Sequence, residues 1–408
     1  MIWTMKQEIA KPLMRRANTI ARTSTEEALR PPREDSRHSQ EEYRVEIVND
    51  VSEFLSLGDA WNRLAKKFQS PLLSHEWFAA CARAFCPPTK LSVIVVRTAY
   101  EIIAAAPLAL VHADGIERLE LLGASLLREP CGFIYRDEES LQRLLSAIHA
   151  IRKPMVVGRL SLNSLESLSL KERMRLPFVF TLKEPSWAPS ITIASSWEEF
   201  EKGISASRRS SLRRARRHAE EFGKVEFEIT APKEADVDNH LEEIFRVEAA
   251  GWKERNGTSM QSIQELKRFF SLYAHIAACQ GILRTCYMRI NGNAVAAQLA
   301  VEYAERFWTF KIGYDEAFAR CSPGTLLMHE AIRSAFDRRL KSFEFLGNDE
   351  PWIRIWTDNI YSFITYRIYP WTIDGSLALG QDMSIRLLRR FKAWQKRMNA
   401  RSAEHHPH

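Results

Sequence analysis

The sequence predicts an α/β protein in which mixed, largely antiparallel sheets are flanked by helices and arranged as two similar domains. Its 408 residues exceed the length of one ordinary domain. Both halves alternate helical periodicity with short β-rich runs. The second half orders them as helices, three consecutive strands, a loop with a helix, and two more strands. That order is typical of a mixed sheet covered by helices.

Composition and periodicity divide the chain into five segments. They are a flexible arm over residues 1–42, a first domain over 43–185, a second domain over 190–372, a basic helix over 380–400 and a flexible tail over 401–408. The arm and the tail are polar and lack apolar periodicity. The stretch from Pro185 to Pro189 is interpreted as the linker between the domains.

Periodicity also places the individual elements. In the first domain we expect helices over 51–67, 77–85, 141–150 and 160–170, and strands over 45–47, 91–97, 102–111 and 119–122. In the second we expect helices over 205–222, 237–255, 263–279 and 324–339, and strands over 225–229, 283–290, 294–302, 306–312, 343–346 and 363–369. Asn291 and Gly292 form a strong hairpin turn, because both residues tolerate positive φ.

Composition narrows the classes of function. The six cysteines form no CxxC pair and no Cys/His cluster at zinc spacing, so we expect neither a metal site nor a disulfide scaffold. No apolar run reaches the roughly 20 residues of a spanning helix, and the first residues lack a secretory signal, so we expect a cytoplasmic protein. No DNA partner is expected, because no helix-turn-helix or zinc finger is visible.

The segment from Arg320 to Thr325 has the residues of an anion-binding helix start. Ser322 is a good N-cap, Pro323 suits the first helical position, and Gly324 lets another atom approach the backbone. Unpaired amides and the helix dipole would then hold an anion, with the charge of Arg320 beside it. A capped helix that binds nothing would carry the same residues.

The strand before this loop ends in candidate substrate contacts. Alternation predicts two faces, with Phe307, Thr309 and Lys311 on one and Trp308, Phe310 and Ile312 on the other. Lys311 and Tyr314 are candidate substrate-binding residues. Asp315 could accept a proton from an attacking amine or hydroxyl, or it could cap a turn.

Other candidate residues lie on the helix over 237–255 and in a late loop. Glu248 falls inside the apolar stripe of that helix, so its carboxylate is expected to point inward. A buried carboxylate suits a general base, although an ion pair with an arginine is the alternative. Trp252 and Lys253 follow as acceptor contacts. Asp349, which precedes a second acidic residue, suits binding or deprotonating an ammonium group.

Two basic segments could contact anions, consistent with a net charge of +7. Residues 208–218 hold six arginines whose repulsion must be offset by a diphosphate, tRNA, a membrane or nearby glutamates. Residues 386–397 form a basic amphipathic helix. Its apolar side chains either pack on the protein body or touch an anionic membrane.

Three motifs occur in one order along the second half. They are Glu248-x-x-x-Trp252-Lys253-x-x-x-Gly257-Thr258, Lys311-x-Gly313-Tyr314-Asp315-Glu316 and Ser322-Pro323-Gly324-x-Leu326-Leu327. With them the chain resembles the CelD/BcsL-type acetyltransferases linked to cellulose and exopolysaccharide production. That family looks like tandem GNAT domains and is similar to the Fem-type aminoacyltransferases of peptidoglycan synthesis.

The resemblance implies tandem GNAT-like domains and an N- or O-acyltransferase. It would move an acetyl or other acyl group from acyl-CoA to an amine or hydroxyl of a small-molecule or glycan acceptor, in contact with a polysaccharide synthase. GNAT enzymes usually hold the pyrophosphate with Gln/Arg-x-x-Gly-x-Gly/Ala, whereas this chain has Arg320-Cys-Ser-Pro-Gly324-Thr. Aminoacyl transfer from tRNA and a binding protein without turnover are therefore the alternatives.

Overall fold

The computed structural model describes residues 42–87, 89–113, 115–173, 179–251, 262–347 and 350–404. All but the last residue of the predicted arm, and the last four residues of the predicted tail, lie outside these ranges. Within them the protein has the predicted α/β architecture of mixed, largely antiparallel sheets flanked by helices. No helix in these ranges is both long and apolar enough to cross a bilayer.

The strands and helices are numbered in chain order. The strands are β1 (Arg44–Val48), β2 (Lys90–Leu91), β3 (Val93–Arg97), β4 (Ile102–Ala106), β5 (Leu108–Ala113), β6 (Ile116–Leu121), β7 (Ile134–Tyr135), β8 (Met155–Ser161), β9 (Val179–Thr192), β10 (Val225–Thr230), β11 (Leu283–Ile290), β12 (Asn293–Tyr303), β13 (Arg306–Tyr314), β14 (Ser342–Glu344) and β15 (Ile360–Pro370). The α-helices are α1 (Val51–Ser56), α2 (Gly58–Ala65), α3 (His75–Phe85), α4 (Ala124–Leu127), α5 (Glu138–Ala150), α6 (Leu165–Arg173), α7 (Trp197–Gly203), α8 (Ala206–Phe222), α9 (Val237–Ala249), α10 (Gln264–Cys279), α11 (Pro323–Asp337) and α12 (Ile373–Glu404).

Two sheets organise these elements. One has the order β1-β3-β4-β7, and the other has the order β10-β11-β12-β13-β14-β9-β15-β8-β6-β5-β2. The β13–β14 and β6–β8 pairs are parallel and the other pairs are antiparallel. The predicted single strand over 102–111 is divided at Pro107, where the chain passes from the small sheet into the large one.

The predicted helix over 160–170 is wrong at its start. Residues 160 and 161 end β8, and the helix α6 begins only at Leu165. β8 pairs with β15 on one side and with β6 on the other. Leucines spaced along this segment imitate helical periodicity, but the two partner strands, both distant in sequence, decide its conformation.

The predicted linker is also wrong, because Pro185 and Pro189 lie within β9. They face Ile364 and Ile360 in the ladder between β9 and β15. The carbonyl of Pro189 accepts a hydrogen bond from the N–H of Phe345 at 3.3 Å, so this residue's polar edge points toward β14. The missing proline N–H groups therefore interrupt no bond to β15, which explains why a strand tolerates them.

Two hydrophobic clusters cover opposite faces of the large sheet around β12 and β13. One joins α9 and α10 to α3 of the first half. In it the ring centroid of Trp77 lies 4.9 Å from that of Phe269 and 5.0 Å from that of Tyr273. The other lies around α11 on the opposite face. The end of β13 is consequently held between helices on both sides.

The last helix begins earlier than the predicted residue 380 and ends later than 400, since α12 spans Ile373–Glu404. Arg118 of β6 donates to Asp382 at 2.7 Å, and the Tyr369 hydroxyl donates to the same carboxylate. Arg118 and Asp382 are both buried. This pair fixes the first half of α12 against the large sheet.

Candidate functional site

The end of β13 carries a β-bulge. In the ladder with β12, Leu299 lies opposite Lys311 and Ala300 lies opposite Thr309, so Phe310 is an extra residue on β13. A bulge of this kind places two residues opposite one and reverses the alternation of side chains beyond it.

Because of this bulge, the predicted faces of the strand are wrong for Lys311 and Ile312. Lys311 extends toward α10, with its Nζ 5.4 Å from the centroid of the Phe270 ring. Ile312 instead packs in the cluster around α11, together with Phe307. Lys311 therefore lies on the face of Trp308 and not on that of Phe307, because alternation read from sequence cannot include an inserted residue.

β13 extends beyond its parallel neighbour. The ladder between β13 and β14 ends at Trp308 opposite Glu344, whereas β13 continues to Tyr314. Lys311 and Tyr314, the predicted substrate contacts, both lie on this extension. The end of β13 therefore lies beyond its ladder with β14.

α9 packs very closely against this extension. A Cβ added to Gly313 would lie 2.8 Å from the Cα of Glu248, and one added to Gly251 would lie 3.0 Å from the carbonyl oxygen of Tyr314. Glu248 is 3 % exposed, which confirms the predicted inward direction of its side chain. Its role in catalysis stays a prediction.

The helix expected over 237–255 ends earlier, at Ala249. Trp252 and Lys253 lie outside the described residues, and so does Asp349. Their predicted roles as acceptor contacts and as a catalytic carboxylate therefore stay predictions.

Asp315 caps a turn in this structure. Its Oδ1 accepts a hydrogen bond from the N–H of Ala317 at 2.9 Å, and its own N–H donates to the carbonyl of Val295 at 2.9 Å. It thereby starts the 3₁₀ turn Glu316–Cys321. The alternative left open by the sequence is thus realised, and catalysis by Asp315 stays a prediction.

α11 begins at Pro323, as predicted, but its first turn differs from the prediction. Ser322 has left-handed backbone angles (φ 47°, ψ 55°), and its hydroxyl caps no helix N–H. The N–H groups of Thr325 and Leu326 donate to the Ser322 carbonyl at 3.0 and 3.2 Å. Because Pro323 has no N–H, Gly324 supplies the first-turn amide that has no partner among the described residues.

The Tyr314 ring lies against this helix start. A Cβ on Gly324 would be 3.3 Å from Cδ1 of Tyr314, so a larger residue would press on the ring. The end of β13 and the first turn of α11 are therefore adjacent. The positive end of the helix dipole lies at this junction.

The positive charge of Arg320, which the sequence places beside a bound anion, is partly offset by a carboxylate. Its guanidinium lies 3.2 Å from the Glu221 carboxylate of α8, and both side chains are more than half exposed. Such a pair contributes little to stability and leaves Arg320 able to meet a stronger anion.

The arginines of α8 fall into two groups. Arg208 and Arg209 donate to backbone carbonyls, and Arg216 pairs with Glu220 at 2.9 Å. The other three, Arg213, Arg214 and Arg217, are exposed and have no partner among the described residues. Nearby glutamates therefore offset only part of the repulsion among these arginines.

Two residues of the first half hold the loop that precedes Asp349. Arg159 donates through Nη2 to the carbonyl of Gly347, and Glu129 accepts the N–H of Gly347 at 3.4 Å. Arg159 also donates to the carbonyl of Arg128 at 2.8 Å. The backbone of Gly347 is thus held by Glu129 and Arg159, which both lie in the first half. We call these two residues the clamp.

Glu129 and Arg159 perturb each other and interact with Lys311. Removal from water raises the pKa of Glu129, while the charges of Lys311 and Arg159 and the Gly347 hydrogen bond oppose this rise. Removal from water lowers the pKa of Arg159, against the charge of Glu129.

A cleft of about 330 Å³ lies beside this clamp, and residues of both halves line it. Its walls include the aromatic side chains of Trp308 and Phe363. Within the described residues, Glu166 Oε2, Arg159 Nε and Arg306 Nε are buried without hydrogen-bond partners. Buried polar atoms without partners are rare in proteins, so the part of the chain that is described leaves these three atoms to be satisfied by other groups.

The acidic side chains of the cleft are shielded from water. Burial raises the pKa of Glu344, against the Ser342 hydrogen bond and the charge of Arg306. Burial, together with the charge and hydrogen bond of Glu166, raises the pKa of Tyr135. A ligand with hydrogen-bond donors or positive charge would suit these groups. No cluster of three metal-ligating side chains occurs among the described residues.

Residues 206–354 match the family described as "Acetyltransferase (GNAT) domain". This segment resembles a GNAT domain in sequence. It contains the helix start at Pro323, the end of β13 and Glu248. The GNAT segment therefore includes every predicted site residue.

Solved structures with low sequence identity have a similar fold. The C-terminal domain of a putative lysylphosphatidylglycerol synthetase from Agrobacterium fabrum gives a TM-score of 0.50 at 11% identity, covering 82% of this chain and 97% of that one. FemX gives 0.51 at 9% identity, covering 79% and 96%. No curated protein is similar in sequence.

Sequence reasoning missed the contacts made to the GNAT segment by the first half. Glu129 and Arg159 meet Gly347 across 218 and 188 residues of sequence. No local pattern marks either residue, because each acquires its role only through a distant partner. No local sequence pattern marks Glu166 either.

Proposed function

We propose that this protein is a GNAT-type acyltransferase that moves an acyl group from acyl-CoA to an amine or hydroxyl of a polar acceptor. One arrangement carries this proposal. The end of β13, the buried Glu248 and Gly324 at the start of α11 meet at one junction, and a cleft with buried polar atoms that have no partner among the described residues lies beside β14. The donor phosphates would lie at the start of α11 and the acceptor in the cleft.

The reaction is direct attack. The acceptor nitrogen or oxygen forms a bond to the thioester carbonyl carbon, a carboxylate takes the proton, and the C–S bond breaks to release CoA as a thiolate that is then protonated. Glu248, Asp315 and Asp349 are the candidate bases. Thr325, Ser322 and Pro323 would shape the donor loop, with Arg320 as an added charge.

The acceptor is proposed to be a sugar or another polar molecule of envelope polysaccharide metabolism. The aromatic walls of Trp308 and Phe363 and the orphaned oxygen of Glu166 suit a ring that also carries hydrogen-bond donors. Trp252, Lys253, Lys311 and Tyr314 are proposed to contact it. A polysaccharide synthase would be the partner that supplies or accepts this glycan.

Calorimetry with acetyl-CoA and a series of longer acyl-CoAs tests the donor. We expect binding by the wild-type protein and at least about ten-fold weaker binding by Gly324→Val, whose side chain would meet Tyr314 and crowd the free amide. Gly203→Ala is the matched control, since nothing lies within 4 Å of a Cβ at that position. Absence of binding by every acyl-CoA would remove the donor assignment.

Turnover separates an enzyme from a binding protein. Glu248→Gln should lower kcat by about 10²-fold if this carboxylate is the base, whereas Glu242→Gln, at an exposed position of the same helix, should not. If acyl-CoA binds but no acceptor in a panel of amines and sugars is acylated, a non-catalytic binding role is favoured.

Transfer from aminoacyl-tRNA is the second candidate. It is favoured by the exposed Arg213 and Arg214 and by the single free amide at the start of α11, which is fewer than a pyrophosphate cradle provides. Binding of charged tRNA should then weaken steeply as salt rises. A flat salt dependence would exclude this donor.

A further inference from the structure

α12 turns a polar face toward the protein. Its buried positions are Gly375, Ala378 and Asp382, which recur at spacings of three and four residues. Asp382 is held by Arg118 at 2.7 Å, and Arg386, the next position in this series, lies 2.5 Å from Glu184 of β9. Ion pairs therefore fix which face of the helix points inward.

The opposite face of α12 is apolar and exposed. Leu377, Met383, Leu387, Phe391 and Trp394 are each between 43% and 59% exposed. At 3.6 residues per turn, these five side chains fall within an arc of about 120°. A helix of a globular protein usually turns such a stripe toward the core, whereas α12 turns it outward. Packing on the protein body, one of the two possibilities left open for residues 386–397, would leave Leu387, Phe391 and Trp394 mostly buried, whereas each is more than half exposed.

The second half of α12 is strongly basic. From Met383 to Ala403 the sequence has seven arginines and lysines and no aspartate or glutamate. At helical spacing Arg390 and Lys392 flank the apolar stripe. A helix that combines a Leu/Phe/Trp stripe with flanking basic residues has the chemistry of one that lies in the interface of an anionic membrane.

We propose that α12 docks this protein onto the surface of a bilayer that contains anionic lipids. The stripe inserts at the boundary between the lipid headgroups and the acyl chains, with Phe391 and Trp394 at the headgroup level. The basic residues contact lipid phosphates. A second copy of the chain is a poorer occupant, because Arg390 and Lys392, which flank the stripe, would meet the same positive charges of the other copy. The Arg118–Asp382 pair keeps the stripe outward in the free protein.

Sedimentation of the full-length protein with vesicles tests this proposal. Vesicles of phosphatidylcholine with phosphatidylglycerol should bind the protein, and vesicles of phosphatidylcholine alone should bind it at least about ten-fold more weakly. Replacing Phe391 and Trp394 together by Ser should weaken binding by about ten-fold or more. Tyr100→Ser is the matched control, because Tyr100 is 93% exposed on a distant hairpin.

A charge-reversal pair separates the helix from the general positive charge of the protein. Arg390→Glu with Lys392→Glu should weaken binding to the anionic vesicles by about thirty-fold. Arg213→Glu with Arg214→Glu on α8 changes the net charge equally and should have a much smaller effect. All four side chains are exposed, so folding should be retained, and circular dichroism checks this.

Three results would overturn the proposal. The first is equal binding to the two kinds of vesicle, and the second is equal loss from the two charge reversals. The third is a wild-type dimer that becomes a monomer when Phe391 and Trp394 are replaced, with no vesicle binding by either form.

Discussion

Gly313→Ala tests whether the close contact between α9 and β13 is required. The new Cβ would lie 2.8 Å from the Cα and 3.0 Å from the Cβ of Glu248. Ordinary contacts begin at 3.4 Å, so the helix and the strand would have to separate by about 0.6 Å. The clash is with backbone and cannot be relieved by a rotamer change. Overpacking of this kind costs about 1–3 kcal/mol.

The assay is the thermal unfolding midpoint, measured beside acyl-CoA binding. We expect Gly313→Ala to lower the midpoint by several degrees and to weaken turnover, because Glu248 is displaced from the end of β13. Gly203→Ala removes a helical glycine without a clash and should leave the midpoint unchanged or slightly raised. The reasoning is refuted if the two variants unfold at the same temperature.

Three further predictions concern ion pairs and caps. Arg159→Met removes the hydrogen bond to the Gly347 carbonyl and should raise the acceptor KM about ten-fold or more, measured by steady-state kinetics, with donor affinity unchanged. Arg118→Leu leaves the buried Asp382 with only its longer ion pair, to Arg367 at 3.5 Å, and should cost about 3 kcal/mol in chemical denaturation. Asp137→Ala removes the N-cap of α5 and should cost about 1 kcal/mol at neutral pH. Removal from water opposes ionisation of Asp137, but hydrogen bonds from Ser140 and the Arg136 guanidinium lower its pKa to about 2. A lowered pKa in the folded state stabilises the protein above the ordinary pKa near 4, so the difference between this variant and the wild type should vanish as pH falls from about 4 to 2.

Each of these predictions has its own contradiction. If an Arg159 variant binds the donor more weakly and keeps an unchanged acceptor KM, the clamp acts on the donor and this prediction is wrong. The double replacement of Arg118 and Asp382 by Leu should recover most of the stability lost in the single variant, and failure to do so would show that burial of the ion pair is not the cause. An Asp137 effect that persists at pH 2 would exclude the charge as its origin.

The contact between the halves gives the first half a direct part in the proposed chemistry. Glu129 and Arg159 grip Gly347, two residues before Asp349, and Arg159 also lines the cleft. Lys311 supplies a charge to Glu129 from the GNAT segment. A separated second half would lose the clamp and one wall of the cleft, so the two halves are proposed to act as one site.

Part of the site could be predicted from sequence. The helix start at Pro323 and the inward direction of Glu248 follow from rules that act within a few residues. The missing Ser322 cap and the reduced number of free amides could not be predicted, because the left-handed angles of Ser322 depend on how the preceding turn meets α11.

The sequence by itself determined the elements whose signals are local. Asn291 and Gly292 adopt φ values of 51° and 81° in the hairpin between β11 and β12, as their conformational freedom predicts. Helical periodicity likewise located α8, α10 and most of α11. These features depend on neighbours within one or two turns.

Only the tertiary structure decided the features that require a distant partner. Pro185 and Pro189 became part of a strand because β15 pairs with them, and Lys311 changed face because of the bulge opposite β12. The apolar stripe of α12 points to solvent because Arg118 and Asp382 select the buried face. In each case a free energy of pairing or burial between segments far apart in the chain outweighs the local preference.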